Sequence, residues 1–412
     1  MKRLSFSAFL LCLSSVTINA AVLRVCESCA VRKISDAIHL ARPADTIEID
    51  GGTYHEGIIR IFKPLRIVGI HHPVIDGDKN GHVIYVSAND VSIEGLVVRN
   101  SGISDLEEFA GIYVDHSQRC RIISNHLEEN TYGVYLAYSS GCVLQDNSIV
   151  GAHHDEITAG NGVHLYSVEH IQVFGNDVSG HRDGLYFEFA TLMQIESNKV
   201  YHNLRYGMHF MFSHDNDFAN NLFQDNPTGC ALMYSRHLKV HENHFEKSLG
   251  FAAYGLLLKD IQDSEFTKNI FSGNTVAVYM EGATRDEFRL NLIRRNGWAL
   301  RILGSADDNV FKQNDFEENV FDVGTNSRDA SNTFEGNYWS RYTGYDLDKN
   351  GIGDVPYRPV AIFGYWVNQY SVLIMLLSSP VVEFLEVAER VFPVITPVDL
   401  KDSSPMLRPQ SH

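Results

Sequence analysis

Five side chains in the middle of the chain, His164, His209, Met211, His214 and Met233, offer imidazole and thioether groups. Together these are soft ligands that suit Cu(I) better than Zn²⁺, Ca²⁺ or Mg²⁺. Tyr186 and Glu188 fall in the same pattern. A more ordinary reading stands beside this one, because single exposed His or Met residues are common and exposed methionines on a β-face also fit a protein-docking surface. A second motif suits a harder ion. Asp346, Asp348 and Asn350 occupy positions one, three and five of a Ca²⁺-loop pattern, with Gly351 at six and Asp354 at nine. The bidentate Glu expected at position twelve is replaced by Tyr357, which leaves weak calcium binding and a polar turn both open.

The His and Met ligands lie far apart along the chain, so they meet only if the fold stacks distant segments. A repeat supplies the stacking. The tripeptide Asn, any residue, apolar residue recurs at Asn125, Asn147, Asn176, Asn198, Asn221, Asn243, Asn269, Asn291, Asn314 and Asn332, with gaps of 22, 29, 22, 23, 22, 26, 22, 23 and 18. One coil is therefore about 22 residues, and the longer gaps are loop insertions. After most of these Asn comes a small residue and an alternating run, as at Gly162, Val163, His164, Leu165 and at Gly207, Met208, His209, Phe210. A second alternating pair, such as Ile171 and Val173, precedes the Asn. Period-two runs without a 3.6-residue pattern predict an all-β, right-handed parallel β-helix with strands about 4.8 Å apart.

Equivalent residues then form columns. If the residue after each small residue faces inward, one outward column reads Tyr135, His164, Tyr186, His209, Ala231 and its neighbour Ala137, Tyr166, Glu188, Met211, Met233. The recurring Asn is expected to adopt left-handed turn geometry and to bond to the Asn above and below. Cys120, Cys142 and Cys230 read as inward core residues. His202, His237, His241 and His244 near turns, and the His153, His154, Asp155 loop, read as solvated.

The ends carry different signals. Lys2 and Arg3, an apolar run over residues 4–16 and then Ala20 and Ala21 have the layout of a secretory signal peptide covering 1–20. The run is too short to span a bilayer of about 30 Å. Removing Lys2 and Arg3 with the leader takes the net charge from −17 to −19. Such a surface repels phosphate backbones, which argues against nucleic acid. After the leader five of the 6 cysteines remain, an odd count that does not describe a disulfide scaffold. Cys26 and Cys29 suit a small disulfide or half of a metal site. Residues 21–56 read as an N-terminal cap with a helix over 35–41, Ser35 or Asp36 at its N-terminus, and a first strand, 57–345 as the β-helix and 346–359 as the calcium-loop-like turn. In the tail, 360–412, two apolar or amphipathic segments divided by Pro380 and ended by Pro393 fit either a cap on the last rung or a contact with a membrane protein.

The opening run DTIEIDGGTYHEG (45–57), after its capping helix, resembles the start of pectin-lyase-like β-helices. The segments DGLYFEF (183–189), RYGMHFMFSHDND (205–217), GNYWSRYTGYDLDKNGIGDVPYRP (336–359) and SSPVVEFLEVAERVFPVITPVDLKDSSPM (378–406) resemble the NosD family of periplasmic copper-binding β-helix proteins. The likeness covers nearly the whole mature chain, and the tail is its most specific part. It implies a non-catalytic periplasmic protein that sits on an ABC transporter. Such a protein receives copper from a lipoprotein chaperone and passes it to apo nitrous oxide reductase, with the tail meeting the transporter's membrane subunit. The alternative is a secreted polysaccharide hydrolase, lyase or carbohydrate-binding β-helix. A hydrolase needs two carboxylates roughly 5 to 9.5 Å apart, and the outward columns give Glu188 no acidic neighbour on adjacent rungs.

Overall fold

The computed structural model describes residues 20–104, 106–152, 156–327, 331–392, 396 and 400–410. Residues 1–19, which hold nearly all of the expected leader, and the His153, His154, Asp155 loop lie outside these. Each coil gives one short strand to each of three parallel sheets of 14, 12 and 13 strands, and successive coils are hydrogen-bonded neighbours in all three. The parallel β-helix read from the repeat is the fold that forms. Its inward columns stack like on like: the rings of Phe266, Phe288, Phe311 and Phe334 follow one another at 4.5, 5.0 and 4.7 Å. The small residue that opens each run has a steric cause, since a Cβ on Gly184 would lie 2.7 Å from Gly207 O on the next coil.

The recurring asparagines form one buried ladder. In each pair, such as Asn198 and Asn221, the backbone N–H and the side-chain amide of one both donate to Oδ1 of the next, at 3.0 and 2.9 Å, while the amide also reaches a carbonyl, here Val173 O at 2.8 Å. Two details differ from the expectation. The left-handed residue at each turn is the one before the Asn, as at Ser124, Asp146 and Leu290, so the Asn is there for its side chain and not for its backbone. The ladder also passes from Asn314 to Asn337, whereas Asn332 belongs to a separate ladder with Asn309. This replaces the anomalous gap of 18.

Cysteine pairing departs from the reading of the count. Cys120 and Cys142 are buried as expected but bonded to each other across successive coils. Cys26 and Cys29 are also bonded, and among the described residues Cys230 alone is a free, buried thiol.

Both ends of the solenoid are closed by carboxylates from outside the repeat. A strand, Val22–Val25, precedes the helix α1 (Ile34–Leu40), which starts one residue earlier than expected. Its N-terminal N–H groups have no intrahelical acceptors. Glu56 accepts from Ile34 N at 2.7 Å and Ser35 N at 3.0 Å, and neither Ser35 nor Asp36 is the cap. At the other end Asp402 takes the place of the next ladder Asn. It accepts from Asn337 N at 2.9 Å, the Asn337 amide at 3.0 Å and the Trp339 indole at 3.1 Å. The tail also holds α2 (Ile362–Gln369), which the sequence reading missed. It packs Phe363 and Val367 on Trp298 and Phe321. Residues Ser371–Leu376 form a short 3-10 turn, and Pro380 opens α3 (Pro380–Val391) as its first residue, where its missing N–H costs nothing.

Two stability predictions follow from the ladders. Asp402→Ala leaves the Asn337 and Trp339 donors buried and unpaired, and it is expected to cost roughly 3–5 kcal/mol in denaturant unfolding, with the last coils losing amide protection first. Asp286 sits in the ladder that continues to Asn309, but its Oδ2 has no partner where Asn309 and Asn332 direct amide donors to carbonyls. Burial pushes its carboxyl up to about 7. The folded state therefore binds the proton more tightly than the unfolded chain, a contribution complete below about pH 4 and lost as pH rises through 7. Asp286→Asn is expected to raise the unfolding midpoint at pH 8, by an amount that shrinks toward pH 4.

Candidate functional site on the twelve-stranded sheet

The outward columns align as their spacing required. Tyr135 pairs in register with His164, His164 with Tyr186, Tyr186 with His209 and His209 with Ala231. On the neighbouring column Tyr166 pairs with Glu188, Glu188 with Met211 and Met211 with Met233. The strand Tyr206–Met211 thus carries His209 and Met211 two residues apart on one face, with Met233 on the next coil.

His209 is held by charge. Asp183 is completely buried and receives Arg205 in a bidentate pair at 2.9 and 2.6 Å, with His209 Nδ1 3.2 Å from the same carboxylate. Burial opposes ionisation of Asp183, yet hydrogen bonds from His209 and Arg205 hold its carboxyl below the usual range. A carboxylate can only accept, so Nδ1 carries the proton shared with Asp183, and Nε2 takes no part in that pair. Nε2 is buried and has no hydrogen-bond partner. A carboxylate that orients imidazole through one nitrogen and leaves the other available is the arrangement found behind metal-ligating histidines.

The remaining predicted ligands stand apart. His164 is two coils from His209 with the Tyr186 ring between them, at centroid distances of 4.6 and 4.9 Å. Its Nδ1 faces Asn161 at 3.1 Å, and burial, with Arg182 nearby, pushes its pKa down to about 3, so it stays neutral. His214 lies on the turn beyond the sheet, where burial and Arg236 lower its pKa. The Tyr186 hydroxyl joins the two columns, lying 3.2 Å from Glu188 Oε2 and 3.9 Å from Met211 Sδ.

These groups border a cleft of about 590 Å³ that runs across the coils from Tyr113 to Arg205. Glu108 and Arg182 are among the lining residues that were not singled out from the sequence. Glu108 comes from the insertion before the strand Ala110–Asp115, and Arg182 from the turn before Asp183. Neither is in the repeating pattern, so only the closing of the coil brings them in. Glu108 also gives Glu188 an acidic companion across the cleft, which the column analysis did not contain.

The calcium-loop residues turn toward their own backbone. Asp346 accepts from Gly351 N at 2.9 Å, Asp354 accepts from Leu347 N at 2.7 Å, and Asp348 meets the Asn350 amide at 2.9 Å. Tyr357, at position twelve, is half-buried and donates its hydroxyl to Asp322 Oδ2 at 2.6 Å. Among the described residues the convergent group of three titratable ligands is His55, Asp76 and Asp78, and Asp76 there is already paired with Arg99 and Asn100.

A second surface lies on the tail. Met375 is 82% exposed and Phe384 71%, with Val372, Val381 and Phe392 also exposed. Exposed apolar side chains concentrated in one segment make it a candidate contact surface. Among the described residues no helix is long and apolar enough to cross a membrane.

Comparison with known proteins bears on the family and on the fold. Over 376 residues the chain is 33% identical to the probable ABC transporter binding protein NosD of Pseudomonas aeruginosa, covering 86% of each. It is 28% identical to the protein of the same description from Stutzerimonas stutzeri, covering 86% of this chain and 85% of the other. Among solved structures, the Dettilon tailspike protein superposes with a TM-score of 0.57 at 12% identity, covering 70% of this chain and 64% of that one. The catalytic unit of a GH87 α-1,3-glucanase from Streptomyces thermodiastaticus gives 0.58 at 14%, covering 73% and 63%. The chain spans less than two thirds of both, and at such identity they speak for the fold alone. The model of the family described as periplasmic copper-binding protein (NosD) matches residues 47–159 and 152–344. The chain belongs to the NosD family of periplasmic copper-binding proteins.

Proposed function

We propose that this protein carries Cu(I) in the periplasm while seated on an ABC transporter, and hands it on during maturation of nitrous oxide reductase. The observation that carries the metal site is the buried Nε2 of His209, without a hydrogen-bond partner among the described residues, on an imidazole aligned by Asp183, with Met211 two residues along the same strand. His209, Met211 and Met233 form the ligand set. Imidazole with two thioethers is a soft, neutral set that favours Cu(I) and requires no thiolate. His164 and His214 fall outside it, because Tyr186 separates the first from His209 and the second lies on a turn. Exposed Phe189 and Phe212, stacked at 5.5 Å, flank the methionines and suit the approach of a lipoprotein chaperone or of the apo-reductase. Both curated relatives are described as ABC transporter binding proteins, and the exposed apolar side chains of the tail fit docking on the transporter's membrane subunit. Membrane contact then runs through the transporter. Calcium at Asp346, Asp348, Asn350 and Asp354 is a lesser proposal, since it requires these carboxylates to release the loop backbone.

The test is a competition titration with a Cu(I) chelator. The triple variant His209→Gln, Met211→Leu, Met233→Leu is expected to lose about 100-fold or more in Cu(I) affinity while keeping the β-sheet circular dichroism of the folded protein, and His164→Gln keeps the wild-type affinity. Undiminished binding by the triple variant would sink the assignment. For the tail, Met375→Ser with Phe384→Ser is expected to abolish co-purification with the transporter permease and to leave Cu(I) affinity unaltered. Retained co-purification would move the docking surface elsewhere.

A further inference from the structure

The cleft holds more than the metal reading uses. Of its two arginines, Arg205 is consumed by Asp183. Arg182 is not. Its Nε is buried without a hydrogen-bond partner, the rest of the guanidinium meets the Tyr132 hydroxyl and, in a long contact of 3.4 Å from Nη2, Asn161, and among the described residues no carboxylate lies at ion-pair distance. A half-buried guanidinium that lines a cleft with amide and hydroxyl partners but no carboxylate is a site for a ligand carboxylate. In a chain of net charge −17 this is a local exception, and long-range attraction of anions is not its purpose.

The rest of the lining says what else the ligand carries. Glu108 and Glu188 face the same space and offer acceptors, while the hydroxyl groups of Tyr113, Tyr138 and Tyr166 can both donate and accept. A ligand with only carboxylates would be repelled by the two glutamates. One with only hydroxyls would leave the charge of Arg182 unpaired. An extended peptide is also disfavoured, because the sheet's backbone groups are all committed to the neighbouring coils and the cleft offers side chains alone. The chemistry that satisfies both halves is a hydroxyl-rich carboxylate, and the length of the cleft over five coils, about 19 Å at the strand spacing, suits a short chain of such units.

We propose that the cleft binds a uronate-containing oligosaccharide, with Arg182 pairing a uronate carboxylate and Glu108 and Glu188 accepting from sugar hydroxyls. The proposal is independent of the copper reading, since Arg182 and the glutamates are not among the proposed ligands.

The experiment is calorimetric titration of the metal-free full-length mature protein with trigalacturonate, with the matching neutral galactose trisaccharide and with an acidic peptide. Trigalacturonate is expected to bind with Kd of about 1 mM or tighter, and the neutral sugar about tenfold more weakly. Arg182→Gln is expected to remove the preference for the acid. Glu188→Gln is expected to weaken both sugars alike, which provides a second readout if Arg182→Gln is unstable. Titration of each variant with Cu(I) and its unfolding midpoint report folding and the copper site separately. Absence of trigalacturonate binding at about 10 mM, equal affinity for the neutral sugar, or tighter binding of the acidic peptide would each overturn the proposal.

Discussion

The constraint on which everything else rests is axial register. Parallel backbone pairing alone permits a coil to slip along its neighbour, and a slip of one residue would turn every outward side chain inward. The asparagine ladder prevents this. Each buried Asn offers its amide to one carbonyl and to the next Asn, and a shifted coil would leave those polar groups unpaired in the core at about 1–3 kcal/mol each. The ladder runs without a break from Asn125 to Asn337, so register set at one coil is passed to the next.

Once register is fixed, the outer face behaves as a grid on which residues from distant segments become neighbours. The grid also explains how a charge can be buried there. Asp183 ends up with no exposure at all, a position that is costly for an isolated carboxylate. Arg205 and His209 arrive from the following coil to compensate it. The pairing fixes the orientation of the His209 ring and leaves Nε2 without a hydrogen-bond partner among the described residues. Arg182, one residue earlier on the chain, receives no such compensation and so remains available to a ligand.

A solenoid has open ends, and this one closes them with the same chemistry it uses inside. Glu56 supplies acceptors for the first turn of α1, and Asp402 imitates the ladder Asn that would belong to a further coil. The tail therefore divides in function. Its inner residues, Phe363, Val367 and Asp402, finish the core, while Met375, Phe384 and their neighbours remain exposed.

The architecture and the outward columns were legible in the chain itself. A 22-residue spacing with period-two alternation leaves one way to bury the apolar face, and the alignment of His209 with Tyr186 or Met211 with Met233 is arithmetic on that spacing. Other features depend on how loops and ends fold back. The Asn314 to Asn337 step was obscured because Asn332 shows the same tripeptide, and only its place in a different corner of the coil tells them apart. Glu108 and Arg182 enter the cleft from an insertion and a turn that carry no periodicity. Asp402 replaces an Asn from 65 residues away in sequence. The orientation of His209 is likewise a tertiary outcome, because the carboxylate that its Nδ1 meets lies on the coil below. Local spacing determines which side chains share a face; the partner each buried polar group finds across the coils is settled only when they close on one another.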